Sequence, residues 1–406
     1  MNRKLIIAAS VVAVALASYA TSSWLAGSRI QSEADTFLEA ANNYLVKQWP
    51  DQVVLSQTSY KRGIFSSQAM YSLSFPTAEN SGVKSEIIFA NQIKHGPLPI
   101  SEIFKGHFNL VGASIDTTIA RNPFTEELFK ALNGQSLIQG HTVIERNGQA
   151  NIDWKARAFD LTQNGVTTSF GGAQLKSVLG AGLSSSRGAL ALKGLRASDA
   201  QSSLDIQDSS IQTDTRNGSF GLKFGSTGAS IGSLAFTLPS GFSAKAEKIQ
   251  SLIELKENGA LVEGSISYDV GSLNVNKVDV GNIKFALSYG NLDGKGLKSL
   301  IDLYAGLISR SMNNAQEADL VNASDIKQLW QSLHVLSQAT PSLKISPIAW
   351  QTKDGVSRFD LNTTFGPTNV KPNGIGLAAN PLVSLDGTLV LSRPMISGLV
   401  MQYMQA

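Results

Sequence analysis

The sequence contains no cysteine. That excludes disulfides, thiol nucleophiles, cysteine-ligated zinc or iron–sulfur clusters, and a lipid-anchored N-terminal cysteine. Charge is scarce too. Asp, Glu, Lys and Arg make up 16% of the 406 residues, against roughly 25% in an ordinary soluble domain. A coiled coil and a charge-rich disordered chain are both disfavoured. The formal net charge is +3 and no basic block stands out, so nucleic acid is not an expected partner. The four histidines are His95, His107, His141 and His334. No two have the spacing of a zinc-binding helix, so no metal or other cofactor is expected. There is no P-loop lysine motif, and no dinucleotide fingerprint sits in a strand–turn–helix setting.

What is present begins with a long apolar run. Arg3 and Lys4 precede an uncharged stretch from Leu5 to Ser28. About 20 apolar residues span a bilayer core as a helix. The early cations favour a cytoplasmic N-terminus, and Trp24 falls where interfacial aromatics collect. Membrane contact is therefore expected through Leu5 to Leu25. A cleaved secretory signal is the alternative, because Ala15-Leu16-Ala17 and Ser18-Tyr19-Ala20 carry small residues at cleavage-site spacing. Either reading exports the remainder. Residues 29–49 follow as an amphipathic stalk helix. Ile30, Ala34, Phe37, Leu38, Ala41, Tyr44 and Leu45 share one face, and Pro50 ends it.

The body reads as strands. Ala69, Tyr71, Leu73 and Phe75 alternate with polar residues, as do Ile266, Tyr268 and Val270, and Ile283, Phe285, Leu287 and Tyr289. Turn-forming pairs recur at Asn147-Gly148, Asn164-Gly165, Asn217-Gly218, Asn258-Gly259, Asp293-Gly294, Asp354-Gly355, Asn373-Gly374 and Asp386-Gly387. Such pairs supply the positive φ of two-residue hairpins. Period-two burial implies an antiparallel sheet with one wet side. A short helix starts near Asn122 and Pro123. A second carries Leu297, Leu300, Ile301, Tyr304, Leu307, Ile308 and Met312, and a third runs from near Ser324 to Pro341.

The expected fold is mainly β with helices (α+β). A membrane helix precedes a long, meandering antiparallel sheet that curls if it closes, with an amphipathic helix pair packed on it. The regions are 1–28 (anchor or signal), 29–49 (stalk), 50–293 (β-rich) and 294–406 (helix pair and C-terminal strands).

Candidate chemistry is thin. Gly228-Ala229-Ser230-Ile231-Gly232 matches the nucleophile-elbow pattern, and His334 follows in hydrolase order. An elbow needs a strand before the serine and a helix after it. Here a strand pattern follows, so a glycine-rich turn is the plainer reading. No catalytic residue is assigned.

Two clusters are more distinctive. Tyr60, Lys61, Arg62, Gly63, Ile64, Phe65, Ser66, Ser67 and Gln68 lie between two strand patterns. Gly63 suits a corner, and Phe65 is expected to tuck inward. His95, Gly96, Pro97, Leu98 and Pro99 form a rigid strand exit. These clusters, behind an N-terminal membrane helix, resemble the YdgA family of bacterial cell-envelope proteins. Ile345 to Trp350, including Pro347, is similar to a third family segment. The resemblance implies an inner-membrane anchor with its N-terminus in the cytoplasm, a periplasmic body and a homo-oligomer. Longer family members carry more helix and strand beyond the position of Ala406, so the resemblance leaves open whether a closing strand pair belongs to the C-terminal architecture. It carries over no reaction and no catalytic residue.

The leading functional expectation is a non-enzymatic envelope scaffold or a module that binds lipid or another apolar ligand. An exported hydrolase using Ser230 and His334, and an envelope assembly factor or chaperone, are the alternatives. The sheet's apolar face is expected to exceed what its own helices cover.

Overall fold

The structure is a computed structural model. It describes residues 38, 39, 42, 53–75, 85–95, 111–163, 165–313, 321–371, 376 and 378–398. The apolar stretch from Leu5 to Ser28 lies outside the described residues. Within the expected stalk, Leu38, Glu39 and Asn42 are helical. Among the described residues, no helix is long and apolar enough to cross a membrane.

The chain divides into two compact units, residues 1–161 with 172–184, and residues 162–171 with 185–406. In chain order the first elements are β1 (Val54–Arg62), β2 (Ser66–Ser74), β3 (Glu86–His95), β4 (Val111–Ile119), α1 (Glu126–Ala131), β5 (Ile138–Glu145), β6 (Ala150–Ala156), β7 (Phe159–Gln163), β8 (Val166–Phe170) and β9 (Ala173–Leu179). There follow β10 (Ser185–Ser198), β11 (Ser203–Asn217), β12 (Lys223–Thr237), β13 (Ser243–Asn258), β14 (Leu261–Val275) and β15 (Val278–Asp293). Next come α2 (Gly294–Asn313), α3 (Ala323–Ser337), β16 (Ser342–Thr352), β17 (Gly355–Phe365) and β18 (Leu382–Val390). The protein is mostly β and its pairings are antiparallel, as the alternation predicts.

The first unit holds a sheet in the order β1-β2-β3-β4-β5-β6-β9. Its core is small: Ala69, Ile93 and Ala113, surrounded by Tyr60, Tyr71, Ile115 and Ile144. All come from alternate positions on one face. Gly140 lets the Trp154 ring lie flat across β5, since a Cβ there would fall 2.8 Å from the indole. The first strand of this order has a side-chain clamp. Asn42 Nδ2 donates to the Leu55 carbonyl at 2.7 Å, and Leu55 N donates to Asn42 Oδ1 at 2.9 Å. One asparagine thus satisfies a backbone donor and acceptor that another strand would otherwise take.

The second unit orders β8-β10-β11-β12-β13-β14-β15-β16-β17-β18. Strands β10 to β15 are 14 to 16 residues long, against a usual five or six, roughly. This sheet is not closed: among the described residues, β8 and β18 do not pair with each other. Asn258-Gly259 and Asp354-Gly355 do turn hairpins, with Gly259 at φ +63° and Gly355 at φ +151°.

Asp386-Gly387 does not. It sits mid-strand in β18, opposite Asn362 and Leu361. Pairing along the length of β17 outweighs the local turn preference there.

The helix pair also departs from expectation. It packs on itself, on the turn Ser219–Gly221 and on β15, rather than lying over the sheet. The reason is local. Asp293 ends β15 and caps α2 directly, its Oδ1 accepting from Lys295 N and Gly296 N at 2.9 Å. With no connecting loop, the helices stay at that end. Leu297 joins a cluster of Leu222, Phe224 and Val262. On α2, Ile301 and Tyr304 remain exposed.

Candidate functional site

The two N-terminal sequence clusters meet in the first unit. Gly63 N donates to the Ser66 carbonyl at 2.8 Å, closing the β1–β2 corner. A Cβ on Gly63 would fall 2.8 Å from that same oxygen, so the corner requires glycine. Arg62 pairs in register with Ser67 at the end of β1. Ser66 and Gln68 point outward, while Ser67 is buried. Ser67 Oγ lies 3.0 Å from His95 Nε2, and both residues are buried. Gly96 and Pro97 lie outside the described residues.

Phe65 corrects an expectation. Its side chain is 49% exposed instead of tucked inward. The corner turns it out, and its carbonyl accepts from His95 N at 3.1 Å. Tyr60 packs on the core with its hydroxyl buried and no hydrogen-bond partner among the described residues.

The opposite face of this sheet carries a cluster that spacing in the sequence does not reveal. Asp116 Oδ1 lies 2.8 Å from His141 Nδ1, and its Oδ2 accepts from Lys94 Nζ at 2.9 Å. Register sets Lys61, Gln68, Gln92, Asp116, His141, Asp153 and Lys176 side by side across the seven strands. Partial burial would raise the Asp116 pKa. Hydrogen bonds from His141 and Lys94 outweigh it and hold the carboxyl below its usual 3.8.

Pro347 and Trp350 lie on β16 in the second unit. The Ser346–Pro347 bond is cis. Trp350 Nε1 donates to the Val280 carbonyl at 2.6 Å, and Ser346 Oγ to Asp360 Oδ1 at 2.7 Å. Arg358, and then Ser346, hold the Asp360 carboxyl down at about 2.

The elbow pattern is not an elbow, nor a turn. Gly228 to Gly232 lies in the middle of β12. Ser230 Oγ lies 2.9 Å from Ser210 Oγ on the neighbouring strand. His334 is on α3, its Nδ1 against the Thr368 carbonyl. The geometry brings neither residue into the arrangement the pattern requires.

The second unit's largest chemical feature is a face without charge. Register aligns Leu190, Ile211, Ala229, Ser251, Tyr268, Phe285, Ile348, Phe359 and Leu389 across nine strands. On one side a parallel row contains Ile231, Ile249, Val270, Ile283 and Trp350. On the other lie Ile253, Ile266, Leu287, Ile345 and Leu361. No Asp, Glu, Lys or Arg interrupts these rows. Leu190, Ile211, Tyr268, Ile348 and Leu389 are between 41% and 63% exposed. The other face is polar. There Ser210, Ser230, Gln250, Asp269, Lys284 and Arg358 run in register, beside a groove of about 460 Å³.

A second cavity, of about 430 Å³, adjoins the uncharged rows. Its lining includes Thr213, Lys223, Gly225, Thr227, Ile253, Leu255 and Tyr289. Gly264 is what admits the Tyr289 ring: a Cβ would fall 2.5 Å from the phenol oxygen. Among the described residues, no group of metal-ligating side chains is present.

The model for a family described as "Bacterial protein of unknown function (DUF945)" matches residues 1–406. The chain belongs to the DUF945 family. It is 23% identical to Protein YdgA of Escherichia coli K12 over 383 residues, covering 89% of this chain and 75% of YdgA. It is 26% identical over 136 residues to the uncharacterized protein YihF of the same organism, or 32% of this chain and 29% of YihF. An uncharacterized Haemophilus influenzae protein is 24% identical over 152 residues, covering 37% of this chain and 41% of that protein. No solved structure matches. The YdgA-like resemblance read from the motifs is thus shown. In this DUF945 chain the motif residues Ser67 and His95 are one contact.

Proposed function

We propose that this DUF945 protein is a non-enzymatic, membrane-anchored envelope component whose second unit holds lipid acyl chains on its uncharged face. The observation that carries the reading is the run of three charge-free rows, half-exposed at Leu190, Ile211, Tyr268, Ile348 and Leu389. The central row extends about 38 Å at about 4.8 Å per strand. Covering each half-exposed side chain is worth about 1 kcal/mol. Monomers rarely leave so continuous an apolar surface bare. An acyl chain is the favoured cover because residues 5–28 read as a membrane span, with Arg3 and Lys4 holding the N-terminus inside. The anchor then sits in the inner membrane and the bulk of the chain in the periplasm, next to a lipid source.

The test is gentle detergent extraction of the full chain, then mass spectrometry of everything that copurifies. Near-stoichiometric lipid supports the reading; a lipid-free monomer overturns it. N-terminal sequencing tests the anchor, and a mature chain beginning at Ser18 or Thr21 would sink it. Self-association is the second reading. It is favoured by β18, which ends the strand order with every one of its nine residues exposed. Stoichiometric recovery of a second copy, with lipid absent, would support it over the first.

A further inference from the structure

The uncharged face has a polar end. The cavity of about 430 Å³ is walled on one side by Ile253 and Leu255 and on the other by hydroxyl groups. Thr213, Thr227 and Ile253 pair in register, so the cavity opens directly onto one of the charge-free rows. Gly225 lies opposite Leu255 at φ +132°, and a Cβ there would run into the Asp214 carbonyl, so glycine lets the backbones approach closely beside the cavity. Thr213 Oγ1 and Thr227 Oγ1 lie 3.2 Å apart. Two hydroxyls that share one proton in this way leave the other free to donate. Burial pushes the Tyr289 phenol above its usual 10, so at neutral pH it is protonated and a donor.

Among the described residues, Lys223 is the one cation lining this cavity. Neighbouring charges are already matched: Arg187 with Asp214 at 2.8 Å, Lys298 with Asp302 at 2.5 Å, and Arg216 with Glu257 at 3.9 Å. Glu257 also accepts from Ser219 N at 2.9 Å. Among the described residues, Lys223 has no ion-pair partner. A lysine beside neutral donors, at the head of an apolar track, matches an anionic oxygen group attached to a hydrocarbon tail.

We infer that this cavity is the head-group site for a single-chain anionic amphiphile, with Lys223 as its counter-charge and the charge-free rows taking the tail. The inference rests on the lipid reading above and adds polarity to it. The ligand lies with its head at the Tyr289 end and its tail pointing along the rows. The hydroxyls orient the head, and Lys223 selects its charge.

The test is photo-crosslinking of the full chain, in its own membrane fraction, with a diazirine-bearing oleate. The competitors are oleate, oleyl alcohol and inorganic phosphate. Labelling is expected on peptides containing Ile253, Leu255 or Tyr289. Oleate should compete about tenfold better than oleyl alcohol, a preference of about 1.4 kcal/mol. Lys223→Gln should keep the labelling and lose the preference, while Lys223→Arg should keep both. Equal competition by acid and alcohol in the wild type overturns the inference. So does an unchanged preference in Lys223→Gln, or competition by phosphate alone as strong as by oleate. Absence of any label on the sheet is a different result, and it removes the lipid reading itself.

Discussion

Ser67 and His95 are 28 residues apart in sequence and 3.0 Å apart in the structure, buried together between β2 and β3. Their contact joins two sequence clusters that look independent when read along the chain. Removing the hydroxyl takes a partner from a buried ring nitrogen, which costs about 1–3 kcal/mol. Ser67→Ala should lower stability by that amount in chemical denaturation. Phe65→Ala, two residues away but half-exposed, should cost less than about 1 kcal/mol. The reverse order would refute this account of the motif.

Asp116 gives unit 1 a pH signature. Its carboxyl titrates below its ordinary 3.8 because His141 and Lys94 stabilise the charged form. A depressed carboxylate contributes stability above its unfolded pKa and loses it as pH falls through the folded one. The wild type should therefore weaken as pH drops below about 4. Asp116→Asn should flatten that part of the curve. Denaturation midpoints at pH 7 and pH 3 decide it, and identical pH profiles in the two proteins would count against the cluster.

The uncharged face should tolerate charge structurally and not functionally. Ile211 is 47% exposed, so Ile211→Lys should change stability by no more than about 0.5 kcal/mol. Lipid recovered with the full chain should fall several-fold. Equal lipid content in a folded Ile211→Lys variant would argue that the rows bind nothing.

Asn42 offers a local test. Asn42→Ala removes both hydrogen bonds to Leu55, at about 1–2 kcal/mol for the pair. Hydrogen exchange should speed up at Leu55 and leave β13 unaffected. Unchanged exchange at Leu55 would mean that solvent replaces the clamp at no cost.

Much of the fold was legible because its signals are local. Alternation at Ala69 to Phe75 and at Ile283 to Tyr289 gives strands, Asn258-Gly259 gives a hairpin, and the apolar spacing from Leu297 onward gives a helix. Three things were hidden. Asp386-Gly387 has turn chemistry yet pairs with β17, since cross-strand contacts override a dipeptide's preference. Phe65 reads as a core residue, but the Gly63 corner turns it out. The helix pair has the amphipathic face of a sheet cover, but its cap at Asp293 tethers it to one end. The charge-free rows and the Asp116 cluster are properties of register. Each of their members is an unremarkable residue in its own strand, and no single-strand pattern places Ile211 beside Ala229.

Register also makes the charge-free face a measuring device. Each strand from β10 to β17 adds one residue to every row, and hairpins join the neighbours from β10 to β15. Duplicating one hairpin would lengthen all three rows together by two strand steps, about 9.6 Å. Deleting one would shorten them equally, while the turns elsewhere kept their chemistry. The reach of this surface is therefore a countable quantity, fixed by the number of hairpins rather than by the identity of any one side chain.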